Sequence, residues 1–210
     1  MPLSRETIKE IAKLRLRENR SAMIIVALLY AVIGCVLAGL TYGIAAFFLL
    51  PPLMVAVKRY YLMCWEDRKP QTGDFFHGCF DFYTNRLCTI LLMGLKIFLW
   101  SLLFVIPGIV KMYAYLMAPY VTARHPNVTA SAALRISERM TEGYRMDLFV
   151  AHLSFLGWEL LSGVTFGILE IVFVGPYRET AFAGIYDELE RVALENGRIT
   201  PQMLNGAQAP

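Results

Sequence analysis

Five ionisable side chains occur within long apolar stretches of the sequence, where an unpaired charge is costly. They are Lys96, Lys111, His152, Glu159 and Glu170. An ionised group deep in a bilayer costs several kcal/mol unless it is paired. When the repeated segments described below are aligned, Glu159 lies about 7 Å further out than Lys96. Because helical side chains lean toward the helix N-terminus, the sequence predicts that Lys96 and Glu159 form an ion pair.

Lys111 and Glu170 occupy the same position in two related segments, three residues after a glycine at which we expect a turn. Opposite charges at equal depth on related helices predict an ion pair near the outer membrane surface. Alternatively, both side chains reach the lipid headgroups, because each lies close to a helix end. His152 lies in the inner half of the predicted fifth membrane helix, and we interpret it as a structural hydrogen-bonding residue rather than a proton carrier.

Prolines interrupt the second helix of each predicted hairpin, at Pro52, Pro119 and Pro176. Proline lacks an amide hydrogen and frees the carbonyl four residues earlier, and in hydrocarbon that carbonyl needs another partner. Each proline therefore predicts a kink, accompanied either by a polar pocket or only by adjusted packing. Tyr120 and Tyr177, which directly follow prolines, are candidates to supply the missing hydroxyl.

The sequence contains no motif of a known enzyme site: no HExxH, no GxSxG and no phosphate-binding glycine loop. Its four cysteines form no CxxC pair, and we interpret them as small apolar residues rather than metal ligands. The net charge of +3 is too small to suggest nucleic-acid binding. We therefore expect a non-enzymatic protein without a cofactor, a metal ion or a nucleic-acid partner.

The composition predicts a membrane protein. Hydrophobic residues make up 57% of the 210 residues and charged residues 18%, whereas soluble domains have about 45–50% and about 25%. The apolar residues collect in runs at 21–57, 87–110, 112–123 and 148–177. Since a membrane-crossing helix needs roughly 20 apolar residues, the first and last runs are each long enough for two helices joined by a turn.

The apolar runs repeat one pattern. TYGIAAFFLLPP at 41–52 and TFGILEIVFVGPY at 165–177 both begin Thr-aromatic-Gly-Ile, and IPGIVKMYAYLMAPY at 106–120 is a third copy. Each copy predicts a glycine turn followed by a proline-interrupted helix. The predicted fold class is therefore all-α, a polytopic membrane protein with six transmembrane helices in three hairpins. These hairpins cover about 21–63, 87–123 and 147–188.

An amphipathic segment precedes each hairpin, at 5–20, 74–86 and 129–146. These segments are too polar to span a membrane but amphipathic enough to lie in the headgroup layer. The alternative is that they pack on the protein's own base. With these surface helices included, the repeats cover 1–70, 71–126 and 127–190, and 191–210 form a polar tail of the single membrane domain.

The basic residues predict the orientation. Of the 20 lysines and arginines, 18 lie before 21, at 58–86, at 124–145 or from 178 onward. By the positive-inside rule, both termini face the cytoplasm of a bacterial cell and the glycine turns face outward from its cytoplasmic membrane. The basic surface helices would then contact anionic headgroups of the bilayer.

Residues 133–189 contain, in order, ALRISERMTEGYR, LFVAHLSFLGWELL, TFGI and PYRETAFAGIYDEL. This pattern resembles bacterial integral membrane proteins of the domain-of-unknown-function 975 family. PGIVK…APY at 107–120 and AKLRLREN at 12–19 also fit, so the likeness covers nearly the whole chain up to about residue 189. The resemblance implies a multi-helix membrane protein and no established activity or catalytic residues. Glu170 departs from it, because we expect a neutral residue there.

The sequence therefore favours a non-enzymatic membrane protein that binds or organises a lipid, a peptide or a membrane-protein partner in the cell envelope. The alternative is a small-molecule or lipid transporter or exporter, with a site among the proline-kinked helices. Few polar residues are available to face a cavity, which weighs against transport of hydrophilic solutes.

Overall fold

The computed structural model describes residues 5–40, 44–75, 82–165 and 167–206, and this part of the chain is helical without strands. The helices are α1 (Arg5–Glu18), α2 (Arg20–Leu40), α3 (Ile44–Trp65), α4 (Tyr83–Leu103), α5 (Val105–Tyr115), α6 (Ala118–Arg124), α7 (Ala130–Thr141), α8 (Arg145–Val164), α9 (Gly175–Glu195) and α10 (Pro201–Leu204). A π-helical segment, Glu170–Val174, leads directly into α9. The all-α fold class is confirmed.

Among the described residues, the helices long and apolar enough to cross a membrane are Arg20–Leu37, Ala45–Trp65 and Tyr83–Leu103. The fourth, fifth and sixth predicted spans are not among these helices, and each has a physical reason. A turn at 116–117 divides the fourth into α5 and α6. The fifth, α8, carries charged residues at Arg145, Asp147 and Glu159, and the sixth begins in the π-helix.

The exterior of several helices is apolar. Only 11% of the residues in the apolar windows of α2 and α4 are buried. The most exposed large apolar side chains include Leu102, Val105, Ile106, Met146, Leu160 and Val164. Soluble monomers rarely expose apolar patches of this extent, so the surface is suited to a membrane or to another protein.

Two of the three amphipathic segments pack on the protein's own core rather than standing apart from it. In α1 the apolar residues Ile8, Ala12 and Leu16 are buried, and this helix lies along α9. In α7 the corresponding buried residues are Ala133, Ile136 and Met140. The structure therefore favours the packed-base alternative for both. In the middle segment Phe75 is buried, whereas 76–81 lie outside the described residues.

The predicted glycine turns differ from one another. Gly167 has a φ of +80°, which suits a turn, and Gly43 lies outside the described residues. Gly108 was expected at a turn, but it lies inside α5, and the chain reverses at the extended residue Phe104. A Cβ on Gly108 would lie 2.9 Å from Cα of Ser101. This glycine therefore allows α5 to pack closely against α4.

The helix α3 continues through Pro52, and the carbonyl that this proline frees has found a partner. The carbonyl oxygen of Phe48, four residues earlier, accepts a hydrogen bond of 3.0 Å from the Tyr83 hydroxyl of α4. The expectation that Tyr120 and Tyr177 satisfy such carbonyls is wrong for Tyr120, whose hydroxyl donates to a carboxylate described below. The Tyr177 ring packs edge-on against the Phe155 ring at 5.3 Å.

Candidate functional site

An ion pair joins α3 to α9 inside the helix bundle. The ammonium nitrogen of Lys58 lies 2.5 Å from Oε2 of Glu179, and the two side chains are 12% and 17% exposed. The Tyr120 hydroxyl donates a hydrogen bond of 3.1 Å to the same carboxylate oxygen. The Lys58 nitrogen also lies 5.0 Å from the centre of the Tyr120 ring. The Glu179 carboxylate is therefore held by a cation and a hydroxyl from two other helices.

Arg178, next to this pair, holds two further carboxylates. Its Nη1 lies 2.6 Å from Oε1 of Glu159 on α8, and its Nη2 lies 3.0 Å from Oε1 of Glu170 in the π-helix. The guanidinium thus links both sides of the third hairpin. We call these five side chains the charged cluster: Lys58, Glu159, Glu170, Arg178 and Glu179.

The charged cluster lies where the three proline-interrupted helices meet. Each predicted kink is followed within six residues by a side chain of the cluster or by its tyrosine partner. The pairs are Pro52 with Lys58, Pro119 with Tyr120, and Pro176 with Arg178 and Glu179. This is proximity along the sequence, so the choice between a polar pocket and adjusted packing at each proline stays a prediction.

The π-helix shapes one side of the cluster. The backbone amide of Gly175 hydrogen-bonds to the carbonyl oxygen of Glu170, which closes the wide turn. A Cβ on Gly175 would lie 2.7 Å from that oxygen, so the turn requires glycine here. Single π-helical turns inside helices occur frequently at functional sites, and this one carries Glu170 toward Arg178.

Two cavities border the central ion pair and share part of their lining. The first, of about 290 Å³, is lined by Met54, Lys58, Met93, Ile97, Met112, Leu116, Pro119, Tyr120, His152, Arg178, Glu179 and Phe182. The second, of about 340 Å³, is lined by Ala27, Tyr30, Ala31, Met54, Val57, Lys58, Tyr61, Glu170, Ile171, Gly175, Arg178 and Glu179. Met54, Lys58, Arg178 and Glu179 border both.

His152 reaches the first cavity, but not as the hydrogen-bonding residue that we expected. Its ring lies between those of Tyr113 and Phe182, with centroid distances of 6.1 and 5.4 Å. Its Nδ1 is buried and has no hydrogen-bond partner among the described residues. The imidazole therefore presents an unused polar atom beside the cavity.

The two predicted ion pairs are wrong, because closer partners compete for the same charges. Glu159 binds Arg178, and the Lys96 nitrogen lies 5.7 Å from the centre of the Tyr115 ring. Lys111 lies 2.5 Å from Oε1 of Glu138, because α7 packs beside α5 and brings this carboxylate within reach. Glu170 binds Arg178 instead.

The most central residues were missed in the sequence. Lys58 and Arg178 were counted among the basic residues outside the membrane, and Glu179 was not considered. A signal was present: the dipeptide Arg178-Glu179 directly follows Pro176-Tyr177 and precedes the apolar run at 181–186. Charges placed between a proline and an apolar run belong to the broken helix itself.

A second polar network lies at the far end of α9. Arg124 pairs with Glu66, with Asp187 at 2.8 Å and with Glu190 at 3.3 Å. His125 lies 3.2 Å from the other oxygen of Glu190. Burial pushes the pKa of Glu190 upward, but the hydrogen bond from His125 and the charge of Arg124 outweigh it and leave that pKa below its usual range. These charges are mutually paired, which favours a structural role.

Comparison with known proteins identifies one part of the chain. Residues 104–193, somewhat less than half of the sequence, match the family model described as protein of unknown function (DUF975). No curated protein and no solved structure matches the chain. The matched segment contains Tyr120, His152, Arg178 and Glu179, whereas Lys58 lies before it. This match agrees with the resemblance seen in the sequence, and over residues 104–193 the chain is similar to the DUF975 family of proteins of unknown function.

Proposed function

We propose that the protein is a non-enzymatic integral membrane protein that binds an amphiphilic small molecule or lipid in the cavities beside its charged cluster. The first and third hairpins, at about 21–63 and 147–188, would each cross the membrane twice, with both termini in the cytoplasm. The second, at about 87–123, does not fit the same pattern, because Ile109 and Val110 line a groove with Arg145 of the cytoplasmic side. The apolar exterior of α2, α4, α5 and α8 supports the membrane location.

The single observation that carries the proposal is the shared wall of the two cavities. Their volumes of about 290 and 340 Å³ are at the small end of the usual range for ligand sites, about 300–1,000 Å³. Each combines apolar walls with a few convergent polar groups, as ligand sites do. Three methionines, Met54, Met93 and Met112, line the first cavity, and their flexible side chains adapt to ligands of varied shape.

The charges at the cavities favour a ligand that carries both signs. The first cavity offers Lys58, Arg178 and Glu179, and the second offers Glu170 in addition. A purely anionic or purely cationic head would meet like charge in either cavity, whereas a zwitterionic head can pair with both signs. An apolar body would fit against the methionine and aliphatic walls.

Transport is a second candidate function, favoured by the position of the ion pair beside both cavities. Membrane transporters place their sites where helices are broken, and movement of the broken helices exposes the site alternately. Here three proline-interrupted helices and a π-helix surround the wall formed by Lys58 and Glu179. Opening that wall would connect the cavities and let a ligand pass between them.

The binding proposal is tested with lysophosphatidylethanolamine, a zwitterionic amphiphile, added to the protein in lipid nanodiscs and counted by native mass spectrometry. Met93→Trp narrows only the first cavity and Ala31→Trp only the second. We expect at least one of these variants to reduce retention about tenfold or more, because a bulky ring competes for the ligand's space. The control Leu102→Trp places the same ring on the exposed surface and retains the probe. Equal retention by all three variants would contradict the proposal.

The topology is tested separately with single cysteines in a chain whose native cysteines are replaced. Cysteines at positions 41 and 165 should react with an impermeant reagent added to intact cells. A cysteine at position 68 should react only after permeabilisation. Labelling of the first two only from the cytoplasmic side would overturn the orientation.

A further inference from the structure

Two cations flank one carboxylate where α4, α5, α7 and α8 meet, and a third cation lies beside a tyrosine ring that one of the two also contacts. Lys111 lies 2.5 Å from Oε1 of Glu138, and Nη2 of Arg145 lies 4.0 Å from the same oxygen. Lys96 and Lys111 lie 5.7 and 5.6 Å from the centre of one ring, that of Tyr115. We call these residues the cationic cleft: Lys96, Lys111, Arg145, Glu138 and Tyr115.

The single acid does not neutralise the cationic cleft. Glu138 has its close contact with Lys111, and its 4.0 Å distance to Arg145 is the outer limit of an ion pair. Nε of Arg145 is buried and has no hydrogen-bond partner among the described residues. Among the residues of the cleft, three cations thus accompany one carboxylate.

The surroundings of the cleft are those of a membrane interface. The Lys111 nitrogen lies 5.2 Å from the centre of the Trp100 ring. Trp and Tyr favour the level of the lipid headgroups, and lysine and arginine direct their charges to that level. The cleft is therefore suited to meet lipid headgroups.

An apolar groove begins at the cleft. It has a volume of about 350 Å³ and is lined by Ile109, Val110, Tyr113, Arg145, Met146 and Phe149. Arg145 belongs to both the cleft and the groove. Of the other lining residues, Met146 is 72% exposed and Ile109 is 45% exposed, so the groove opens to the exterior of the bundle. A charged head at Arg145 would have an apolar channel directly beside it.

We propose that the cationic cleft and its groove bind one anionic phospholipid, with the phosphate at Arg145, Lys96 and Lys111 and an acyl chain along the groove. Arginine binds phosphate through two parallel hydrogen bonds, and the Arg145 side chain is 32% exposed, so part of it is open to a headgroup. The negative headgroup offsets the charge that Glu138 leaves uncompensated. This site rests on the proposed membrane location but is separate from the cavities beside the charged cluster.

The experiment uses Trp100 as the reporter in a Trp65→Phe, Trp158→Phe chain, reconstituted with lipids that carry bromine on their acyl chains. Brominated phosphatidylglycerol, which is anionic, is compared with brominated phosphatidylethanolamine. We expect half-maximal quenching at about fivefold to tenfold lower mole fraction of the anionic lipid, since each basic residue near the surface adds to its attraction. Millimolar glycerol phosphate in solution should not relieve the quenching, because it lacks the acyl chain.

Charge variants of the same chain decide the outcome. Replacing Lys96, Lys111 and Arg145 by Met should make the two lipids quench equally. Glu138→Gln should enlarge the preference for the anionic lipid, which a misfolded protein would not do. Substituting the exposed Arg17, Lys69 and Arg135 by Met is the matched control and should leave the preference unchanged.

Equal quenching by both lipids in the starting chain would overturn the proposal, as would a preference that survives the triple substitution. Displacement by glycerol phosphate would assign the cleft to a soluble phosphate instead of a lipid. The cavity proposal is judged independently, because lysophosphatidylethanolamine retention should not depend on the three cations. An absence of quenching by either lipid would contradict the membrane location itself.

Discussion

The Lys58 ammonium lies 2.5 Å from the Glu179 carboxylate, although 121 residues separate them along the chain. The pair joins the second helix of the first predicted hairpin to the second helix of the third. Removing two charges from water costs several kcal/mol per ion, and their attraction repays this only when the geometry is good. The pair therefore specifies how α3 and α9 meet, and this relationship also places the pair in the lining that two cavities share.

Removing the lysine should destabilise the protein more than removing both charges. Lys58→Met leaves the Glu179 carboxylate without its closest cation and should lower the free energy of unfolding by about 3 kcal/mol. Adding Glu179→Gln should recover much of this loss. Reversible unfolding in mixed micelles, arranged as a double-mutant cycle, measures the coupling. Arg135→Met, at an exposed site, is the control, and simply additive effects of the two cluster substitutions would contradict the prediction.

The hydroxyl of Tyr83 should matter because Pro52 lacks an amide hydrogen. Tyr83→Phe removes the donor to the Phe48 carbonyl and should lower the free energy of unfolding by about 1 kcal/mol. In a Pro52→Ala background, the restored amide can bond to that carbonyl, so the same tyrosine substitution should cost less. Thermal unfolding of the four proteins provides the comparison. A cost that is independent of residue 52 would count against this explanation.

Gly175 should be intolerant of even one added methyl group. In Gly175→Ala the Cβ would approach the Glu170 carbonyl oxygen to 2.7 Å, so the π-helical turn must rearrange at a cost of about 1–3 kcal/mol. For Gly157 of α8, no atom of the described residues outside its own stretch of helix backbone lies within 4 Å of the corresponding Cβ position. Gly157→Ala should therefore be neutral or stabilise the helix by up to about 1 kcal/mol. Similar melting temperatures for the two variants would refute the assigned role of the π-helix.

Acid should weaken the network at the end of α9 through Glu190. The pKa of this carboxyl is below its ordinary value of 4.5 in the folded protein. Its contribution to stability is therefore fully present above about pH 4.5 and is lost as the pH falls through the lower, folded value. Glu190→Gln should flatten the decline of the melting temperature in this acidic range. The exposed Glu195→Gln serves as the comparison, and an unchanged pH profile in the Glu190 variant would exclude this role.

The helical class and the proline-bearing segments were predictable from the sequence, because they depend on local composition and on spacing. The pairing of charges was not. The prediction of a Lys96–Glu159 pair considered only α4 and α8, but Arg178 of α9, a helix that begins after a π-helix, pairs with Glu159 instead. Such a break shifts and rotates the side chains that follow it, and it depends on packing between helices.

The cluster itself was only partly predictable. Glu159 and Glu170 were singled out because charges in apolar segments require partners, and that reasoning was sound even though the named partners were wrong. Arg178 was overlooked because a basic residue near the end of an apolar run resembles an ordinary cytoplasmic flank. Only the packing of α8 and the π-helix around its guanidinium distinguishes the two situations.

The low burial of α2 and α4 affects how relatives of this chain can be recognised from its sequence. In a membrane, a side chain that contacts mainly lipid tails would be interchangeable with any other of similar hydropathy, so substitutions would accumulate there with little cost to stability. Both helices precede residue 104, where the recognisable family segment begins. Relatives of the first half of such a chain are therefore better recognised by its few interior positions than by overall sequence identity. Lys58, which pairs with Glu179, is one of these positions.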